Sequence, residues 1–469
     1  MKFRRLLCML LCLLLIMQAA VTAVLAEEQE DASVTKGCRG IDSFMPLLGN
    51  SQFTDNAQAI MLLEAGTDTI MYAWNQDQQL HPAGLVKILT ALLVIENCQM
   101  SEIVTVPQSV VDSISKDART TDLQPDEVLT VEQLVYCVLV QGSNDAAAAL
   151  AHHVSGSQEG FVQLMNDYAK ELGCANTVFK NPHGLHDVEQ LSTARDMARI
   201  LDKAIENEQF KTIFGTTHYT VEKTNKSEER NLESSNHMMH QEMYEIYYDE
   251  RITGGRTGVN NTGLRCIATT SSQGDMELIC VILGSESVIN DRGIVEKIGG
   301  FYETSDLLDF AFDGYKTAQV ICADQAIKQF ETNNGSADVV AAPAVDIHSV
   351  VPSGATSDSL KYRYNDVKGA LDAPIRKGQK LSTVEIWSGN VCIAQADLYA
   401  LNDVSENRQI IYHKENSGLS GWWIFLIILL VLAVLVVITL FVIRFTNLRM
   451  KRSGRTRNTK RIRKQRREQ

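Results

Sequence analysis

The hydrophobic pattern changes its period along the chain, and these changes outline a first domain. Residues 57–64 and 69–74 have β-type character and flank a turn-type cluster, Ala65-Gly66-Thr67-Asp68. Residues 263–270 and 276–283 repeat that character around a polar turn. Helical patterns fill the interval between the two strand pairs. We therefore predict a mixed α+β domain over about 41–300.

The helical interval contains one segment that is apolar on nearly every face. This segment, 84–98, predicts a buried central helix. The other helical patterns are at 131–140, 146–153, 158–172 and 192–207.

Beyond about residue 305 the long helical periodicity stops. Short β-type segments follow at 315–322, 337–340, 359–364 and 381–389. They predict a small β-sandwich domain over 305–412. A short polar Ser/Gly linker, 413–421, follows it.

The apolar runs at the two ends of the chain differ in length. Residues 1–26 combine basic residues, a short apolar run and small residues ending at Ala26, which is typical of a secretory signal. A first transmembrane helix is the alternative, and the shortness of the run disfavours it. Residues 422–443 are 22 residues without a charge, long enough to cross a bilayer.

The segment after that run is strongly basic. Residues 444–469 hold twelve Lys or Arg and one acid, Glu468. Positive charge beside a span stays in the cytoplasm, so we expect a single crossing with the tail inside and the larger part outside. Nucleic-acid binding is an alternative for the tail. Its position directly after a span favours retention and contact with anionic lipids.

The charge of the remaining chain is acidic. The whole sequence has 44 Lys+Arg and 57 Asp+Glu. Without the three basic residues of the leader and the charged residues of the tail, 29 basic and 56 acidic residues are left, a net charge near −27. This balance argues against nucleic acid or an anionic surface as a partner of the outer part.

The cysteines offer little support for a metal centre. Eight follow the leader, at 38, 98, 137, 174, 266, 280, 322 and 392, with no CxxC or zinc-like spacing. We expect neither a metal nor another cofactor. Cys266 and Cys280 could pair across the 263–283 hairpin as a disulfide, and two packed free thiols are an equally open reading.

The buried helix opens on Pro82-Ala83-Gly84-Leu85-Val86-Lys87. Residues three apart lie on the same side of a helix, so position 84 and Lys87 face the same space. A lysine alone is more often a surface residue whose stem covers apolar neighbours. In this apolar helix we expect Lys87 to line a cleft, next to a glycine that offers no side chain.

Two further motifs accompany it, Gln141-Gly142-Ser143-Asn144-Asp145-Ala146 and Gly254-Gly255-Arg256-Thr257-Gly258. Together the three resemble the Ser-x-x-Lys, Ser-x-Asn and Lys-Thr-Gly motifs of the D-alanyl-D-alanine carboxypeptidases, the low-molecular-weight penicillin-binding proteins of bacterial cell walls. Segments 181–185, 192–197 and 373–379 extend the resemblance over roughly 45–405.

Carried over residue by residue, the resemblance places the nucleophile at Gly84, where the serine is missing, and its lysine partner at Lys87. The second motif places its asparagine at Asn144 and its serine at Gly142, where the hydroxyl is missing too. Ser143 is adjacent, but a shift of one residue redirects a side chain widely.

The third motif places substrate-binding residues at Arg256, Thr257 and Gly258. Arginine keeps the positive charge of the family's lysine and can hold a carboxylate through two parallel hydrogen bonds. His81, His183 and His237 show no partner pattern that would indicate a replacement triad, and we expect them to be structural.

The resemblance implies an α+β fold: a beta-lactamase/transpeptidase-like domain with a helical subdomain on an antiparallel sheet, then a small β domain and a C-terminal transmembrane helix. It implies a role at the outer face of a bacterial membrane, on peptidoglycan stem peptides ending in D-Ala-D-Ala. The two missing hydroxyls predict an inactive homologue that binds such a peptide or a wall fragment. An active carboxypeptidase with an altered site and a purely structural scaffold are the alternatives.

Overall fold

The computed structural model describes residues 56–365, 370–406 and 425–444. The leader, Cys38, Trp422, Trp423 and the tail after Arg444 lie outside the described residues, so the predictions made for them stay predictions.

A five-stranded antiparallel sheet organises the first domain, with strand order β2-β1-β9-β8-β7. The predicted strand pairs are confirmed, and among the described strands β7 lies at the edge of the sheet and pairs with β8 alone. The strands are β1 (Ala57–Glu64), β2 (Thr69–Trp74), β7 (Ile252–Val259), β8 (Arg265–Gln273) and β9 (Met276–Ser285). Two small antiparallel strand pairs lie between β2 and β7, namely β3 (Ile103–Thr105) with β4 (Val128–Thr130), and β5 (His218–Val221) with β6 (Arg230–Glu233).

Helices cover one face of this sheet. They are α1 (Val86–Asn97), α2 (Gln108–Ser113), α3 (Val131–Tyr136), α4 (Asn144–Ser155), α5 (Gln158–Glu171), α6 (Ala194–Ile205) and α7 (Glu208–Phe214). As predicted, α1 is the central helix: every residue from Val86 to Ile95 is buried. The predicted segment 131–140 is not one regular helix, because a π-helical turn, Cys137–Gln141, follows α3.

The two faces of the sheet bury different cores, and the cysteines fall on opposite sides. Cys266 lies in the core beneath the helices, whereas Cys280 lies in the core on the other face. Cys280 is opposite Thr269 in the β8-β9 ladder, and Thr269 is three positions along β8 from Cys266. Because side chains alternate between the two faces of a sheet, this odd offset places the two cysteines on opposite faces. Both thiols are free, and the disulfide reading of this hairpin is wrong.

The second face is covered by a helix that the sequence pattern did not predict, α8 (Phe301–Gly314). Phe301, Leu307 and Leu308 pack in the same core as Leu278 and Ile282 of β9. Residues 305–314, assigned above to the β domain, therefore belong with the first sheet. A short hairpin, β10 (Val288–Ile289) with β11 (Val295–Lys297), precedes this helix.

The C-terminal domain is β structure, as predicted. Its main sheet has the order β13-β15-β20-β19-β17, and two strand pairs, β12-β16 and β14-β18, accompany it. Its strands are β12 (Tyr315–Ile321), β13 (Lys328–Phe330), β14 (Thr332–Asn333), β15 (Val339–Ala342), β16 (Ile347–Pro352), β17 (Leu360–Asn365), β18 (Leu371–Asp372), β19 (Lys380–Ser388) and β20 (Val391–Ala400). A separate core, which includes Val384 and Leu398, holds these strands together.

The described residues near the end of the chain form one apolar helix, α9 (Phe425–Arg444). It has 20 residues and a mean hydropathy of 3.7 over its most apolar window. By length and composition it is able to cross a bilayer.

Candidate active site

A cleft of about 590 Å³ lies between the helical side of the first domain and the edge strand β7. All three sequence motifs line it, through Gly84 and Lys87, Gly142 and Asn144, and Arg256 to Gly258. The three motifs are far apart in the chain, so it is the fold that brings them together at this cavity. The structure brings every predicted site residue to this one cavity.

Position 84 lies in a 3₁₀ turn, Ala83–Leu85, that leads into α1. Ala83 has a φ of +49°, a left-handed conformation that costs a non-glycine residue about 1–2 kcal/mol. A Cβ at Gly84 would lie 3.0 Å from the carbonyl oxygen of Thr257 and 3.3 Å from Cα of Gly258. Strand β7 therefore packs directly against this turn. A side chain at position 84 would require β7 to move away by a few tenths of an ångström.

Lys87 reaches into the cleft from the first turn of α1. Its ammonium donates to Oδ1 of Asn144 at 2.7 Å and to the backbone carbonyl oxygen of His183. Burial lowers the pKa of Lys87 well below its ordinary value, and the positive charges of Arg256 and Arg119 lower that pKa further. The lowered pKa favours the neutral amine, which can accept a proton as a catalytic base does. Gly84 has no hydroxyl from which Lys87 could take that proton.

The second motif is shaped by the π turn. Gly142 ends this turn with φ +85°, and the backbone N–H groups of Gly142 and Ser143 both donate to the carbonyl oxygen of Cys137. Ser143 then caps α4: its hydroxyl accepts from the N–H of Ala146 and donates to the Asp145 carboxylate. Ser143 is fully buried in these contacts, so it does not replace the missing hydroxyl.

The space beside Gly142 is filled by Arg256. A Cβ added at Gly142 would overlap the guanidinium group of Arg256. The same guanidinium extends toward Gly84, with Nη2 3.8 Å from the Cβ position there. The arginine of the third motif therefore occupies the place that a serine of the second motif would need.

The π turn explains why a cation is stable in that place. Nη1 of Arg256 donates to the carbonyl oxygens of Leu139 and Val140, both at 3.4 Å, and to the hydroxyl of Ser235 at 3.0 Å. These two carbonyls are at the C-terminal end of a helical turn, where partial negative charge accumulates. The guanidinium thus places its positive charge at the C-terminal end of this helical turn, where it is stabilised.

Two basic side chains of the cleft, Lys87 and Arg256, are buried without a direct ion pair in the part of the chain that the structure describes. Lys87 and Arg256 are only 2% and 3% exposed, and neither forms an ion pair within the described ranges 56–365, 370–406 and 425–444. Nε of Arg256 is buried without a hydrogen-bond acceptor. Burial lowers the pKa of Arg256 and the nearby charge of Arg119 lowers it further, yet a guanidinium stays protonated at neutral pH. The cleft is therefore prepared for an anion.

Sequence reasoning missed several residues of the cleft. Ser235 is the important one, because its hydroxyl is 2.9 Å from that of Thr257 and accepts from Arg256. Arg119 and Tyr244 also line the cavity. These residues come from irregular segments outside the three motifs, so no spacing in the sequence indicated them.

The three histidines considered above do not form a triad. Nδ1 of His81 contacts the carbonyl oxygen of Gln190, and His237 stacks on Tyr244 with ring centroids 3.7 Å apart. Burial, with the charge of Lys87 adding to it, lowers the pKa of His183 to about 3. Its imidazole is neutral at physiological pH, and its backbone carbonyl is the group that contacts Lys87.

Gly184 provides a stability test of the close packing at this site. It has φ +78°, and an added Cβ would overlap the carbonyl oxygen of Ala83. Gly156 has φ +73° with nothing within 4 Å of its Cβ position, so it shares the backbone conformation without the contact. We expect Gly184→Ala to lower the free energy of unfolding by about 1–3 kcal/mol more than Gly156→Ala.

Chemical denaturation of the purified chain, followed by circular dichroism, measures both changes. Equal losses in the two variants would contradict the close approach of Gly184 to the turn before α1.

Comparisons with known proteins agree with this geometry. The sequence model of the D-alanyl-D-alanine carboxypeptidase family matches residues 49–287. The model described as the penicillin-binding protein 5 C-terminal domain matches residues 315–406.

Similar proteins and structures point the same way. A D-alanyl-D-alanine carboxypeptidase of Haemophilus influenzae is 30% identical over 364 residues, which cover 75% of this chain and 86% of that protein. One from Bacillus subtilis is 28% identical over 381 residues, covering 78% and 91%. The crystal structure of penicillin-binding protein 5 from Haemophilus influenzae superposes with a TM-score of 0.64 at 27% identity, over 76% of this chain and 100% of that one. The chain therefore belongs to the D-alanyl-D-alanine carboxypeptidase family, the low-molecular-weight penicillin-binding proteins that act in peptidoglycan metabolism.

Proposed function

We propose that this protein binds peptidoglycan stem peptides of the D-Ala-D-Ala type, or a wall fragment, without forming an acyl-enzyme. Gly84 has no atom that can attack a carbonyl carbon, and Gly142 has no hydroxyl to relay a proton. Both positions of the family's serine chemistry are empty of side chains.

The observation that carries this proposal is the overlap between Arg256 and the Cβ position of Gly142. A site that had lost its serines by isolated substitutions would keep empty space there. Here the guanidinium fills the space and is held by Ser235 and by the carbonyls of the π turn. The cleft therefore differs from an active site that lacks only its nucleophile, because Arg256 fills the space of the second missing side chain.

The charge of the cleft supports an anionic ligand. Nη2 of Arg256 faces the cavity near Gly84, and the hydroxyls of Thr257 and Ser235 lie beside it. A terminal carboxylate placed there accepts from the guanidinium and from a hydroxyl, and it gives Arg256 the ion pair that the described ranges do not supply.

Labelling with a fluorescent penicillin tests the absence of acylation. We expect no fluorescence on the full-length chain after denaturing electrophoresis, because no covalent bond forms at Gly84. A family member with an intact Ser-x-x-Lys motif, labelled in parallel, is the positive control.

A label that survives denaturation would favour the alternative, an active carboxypeptidase with an altered site. Peptide mapping would then locate the nucleophile, and Ser235 is the first candidate because its hydroxyl lies in the cleft.

We further propose that α9 anchors the protein in the membrane with the first two domains outside. The apolar helix Phe425–Arg444 and the twelve basic residues of 444–469 support this orientation. Protease added to intact cells should remove the acidic domains and leave a fragment that an antibody against the tail still recognises. Protection of the acidic domains would contradict this topology.

A further inference from the structure

The hairpin β5-β6 and the turn that follows it bring together two histidines and a carboxylate at the rim of the cleft. One ring nitrogen each of His218 and His240 and one carboxylate oxygen of Glu233 all lie within 4.8 Å of one another. We propose that these three side chains form a binding site for a zinc ion. This inference is independent of the function proposed above.

The backbone sets the three donors in place. His218 and Glu233 are directly opposite each other in the β5-β6 ladder, so their side chains project from the same face. His240 follows the 3₁₀ turn His237–Met239, and its ring meets that of His218 edge-on with centroids 5.2 Å apart. Donors fixed on paired strands and a short turn lose little freedom when an ion binds.

Hydrogen bonds orient both imidazole rings for coordination. Nε2 of His240, which is 4% exposed, lies 2.9 Å from the carbonyl oxygen of Ser234. A carbonyl only accepts, so Nε2 carries the proton and Nδ1 keeps its lone pair. Nδ1 of His218 lies 3.2 Å from the hydroxyl of Thr217, which leaves Nε2 for the ion. Anchoring one ring nitrogen to a polar group is the usual support of a metal-binding histidine.

The carboxylate is available for the same ion. Glu233 forms no hydrogen bond or ion pair with either histidine in the described part of the chain, although all three are close. Two imidazole nitrogens and one carboxylate oxygen are a ligand set that zinc takes with a fourth position open. Magnesium and calcium prefer oxygen ligands alone, so this set discriminates against them.

The position connects the ion with the cleft. Glu233 lines the cavity together with Ser235 and Arg119, whereas His218 is exposed and gives the ion a route from solvent. The charge of Arg119 is attracted to the Glu233 carboxylate and competes with the ion for it. Arg119→Gln should therefore leave zinc binding intact or tighten it.

Calorimetric titration of zinc chloride into the full-length chain, purified in detergent without a histidine tag and stripped with a chelator, tests the site. We expect one zinc ion per chain and no heat from magnesium or calcium at the same concentrations. His218→Ala and Glu233→Gln should each weaken zinc binding at least about tenfold. Loss of a residue that only supports a metal ligand already weakens metal binding by about that factor, and loss of a ligand should weaken it at least as much. His218 is exposed and Glu233→Gln keeps its shape, so both variants should fold, which circular dichroism verifies.

A second cluster supplies the matched control. Cys98, Glu102 and His153 also lie within 4.8 Å of one another, but His153 is already bonded to Glu102 at 3.2 Å. His153→Ala should leave zinc binding unchanged. The proposal is overturned if His153→Ala removes the binding, if His218→Ala and Glu233→Gln leave it unchanged, or if the stripped chain binds no zinc.

Discussion

A chain that carries Gly84→Ser, Gly142→Ser and Arg256→Lys together is expected to be acylated by penicillin, at a rate about a hundredfold above that of the Gly84→Ser chain. Serine at position 84 would lie one turn before Lys87, whose lowered pKa suits it to take the hydroxyl proton. The expected gain reflects the second hydroxyl, since a positioned proton relay contributes about 10²–10⁴ in rate. Fluorescent penicillin and denaturing electrophoresis measure the rate.

Arg256→Lys is needed because of packing. Serine at 142 would overlap the guanidinium group of Arg256, and φ +85° already strains any residue other than glycine there. A lysine ammonium is more compact and its stem more flexible, so it can leave the space. The edge strand β7 has a ladder partner on one side only, so it can also yield the few tenths of an ångström that a serine at 84 requires.

The intermediate variants decide whether this packing argument holds. Arg256→Lys alone should not be labelled, because it adds no nucleophile. If the Gly84→Ser, Gly142→Ser chain is acylated as fast as the triple variant, Arg256 does not obstruct the second hydroxyl. Ser143 is kept in all variants because it caps α4 and bonds to Asp145.

Replacing Arg256 with alanine in the otherwise unchanged protein is expected to weaken binding of a D-Ala-D-Ala peptide by about tenfold to a hundredfold. A hydrogen bond to a charged group contributes about 1.5–3 kcal/mol, which corresponds to this range. Fluorescence anisotropy with a labelled peptide measures the dissociation constant.

Two controls separate the carboxylate contact from general damage. The same peptide with a C-terminal amide should bind weakly to the unchanged protein and lose little more on Arg256→Ala. Arg363→Ala, which removes an arginine of β17 in the C-terminal domain, should bind the acid peptide normally. If neither the unchanged protein nor any variant binds the peptide while all remain folded, the cleft is vestigial and the scaffold alternative holds.

The long, strongly patterned elements of the first domain could be predicted from local patterns, whereas the short strands, β7 and three of the helices could not. Strands β1 and β2 have the predicted limits, and the apolar segment 84–98 became the buried turn and helix that carry Lys87. These features depend on side-chain periodicity over a few residues, which the sequence displays directly. Helix α8 was missed because its apolar residues pack on the second face of the sheet, against strands that lie earlier in the chain. That contact is not visible in the local pattern.

The sequence by itself determined the family resemblance and the missing serines, because the identity of a residue at 84 or 142 needs no coordinates. The tertiary structure alone decided what fills the vacated space. Arg256 and Gly142 are more than a hundred positions apart, and only the packing of β7 beside the helices lets the Arg256 side chain reach the π turn and put a guanidinium where a hydroxyl would lie. It likewise separated Cys266 from Cys280 and joined His218, Glu233 and His240. Such outcomes depend on strand order and side-chain packing, which act between distant segments and leave no periodic trace in the chain.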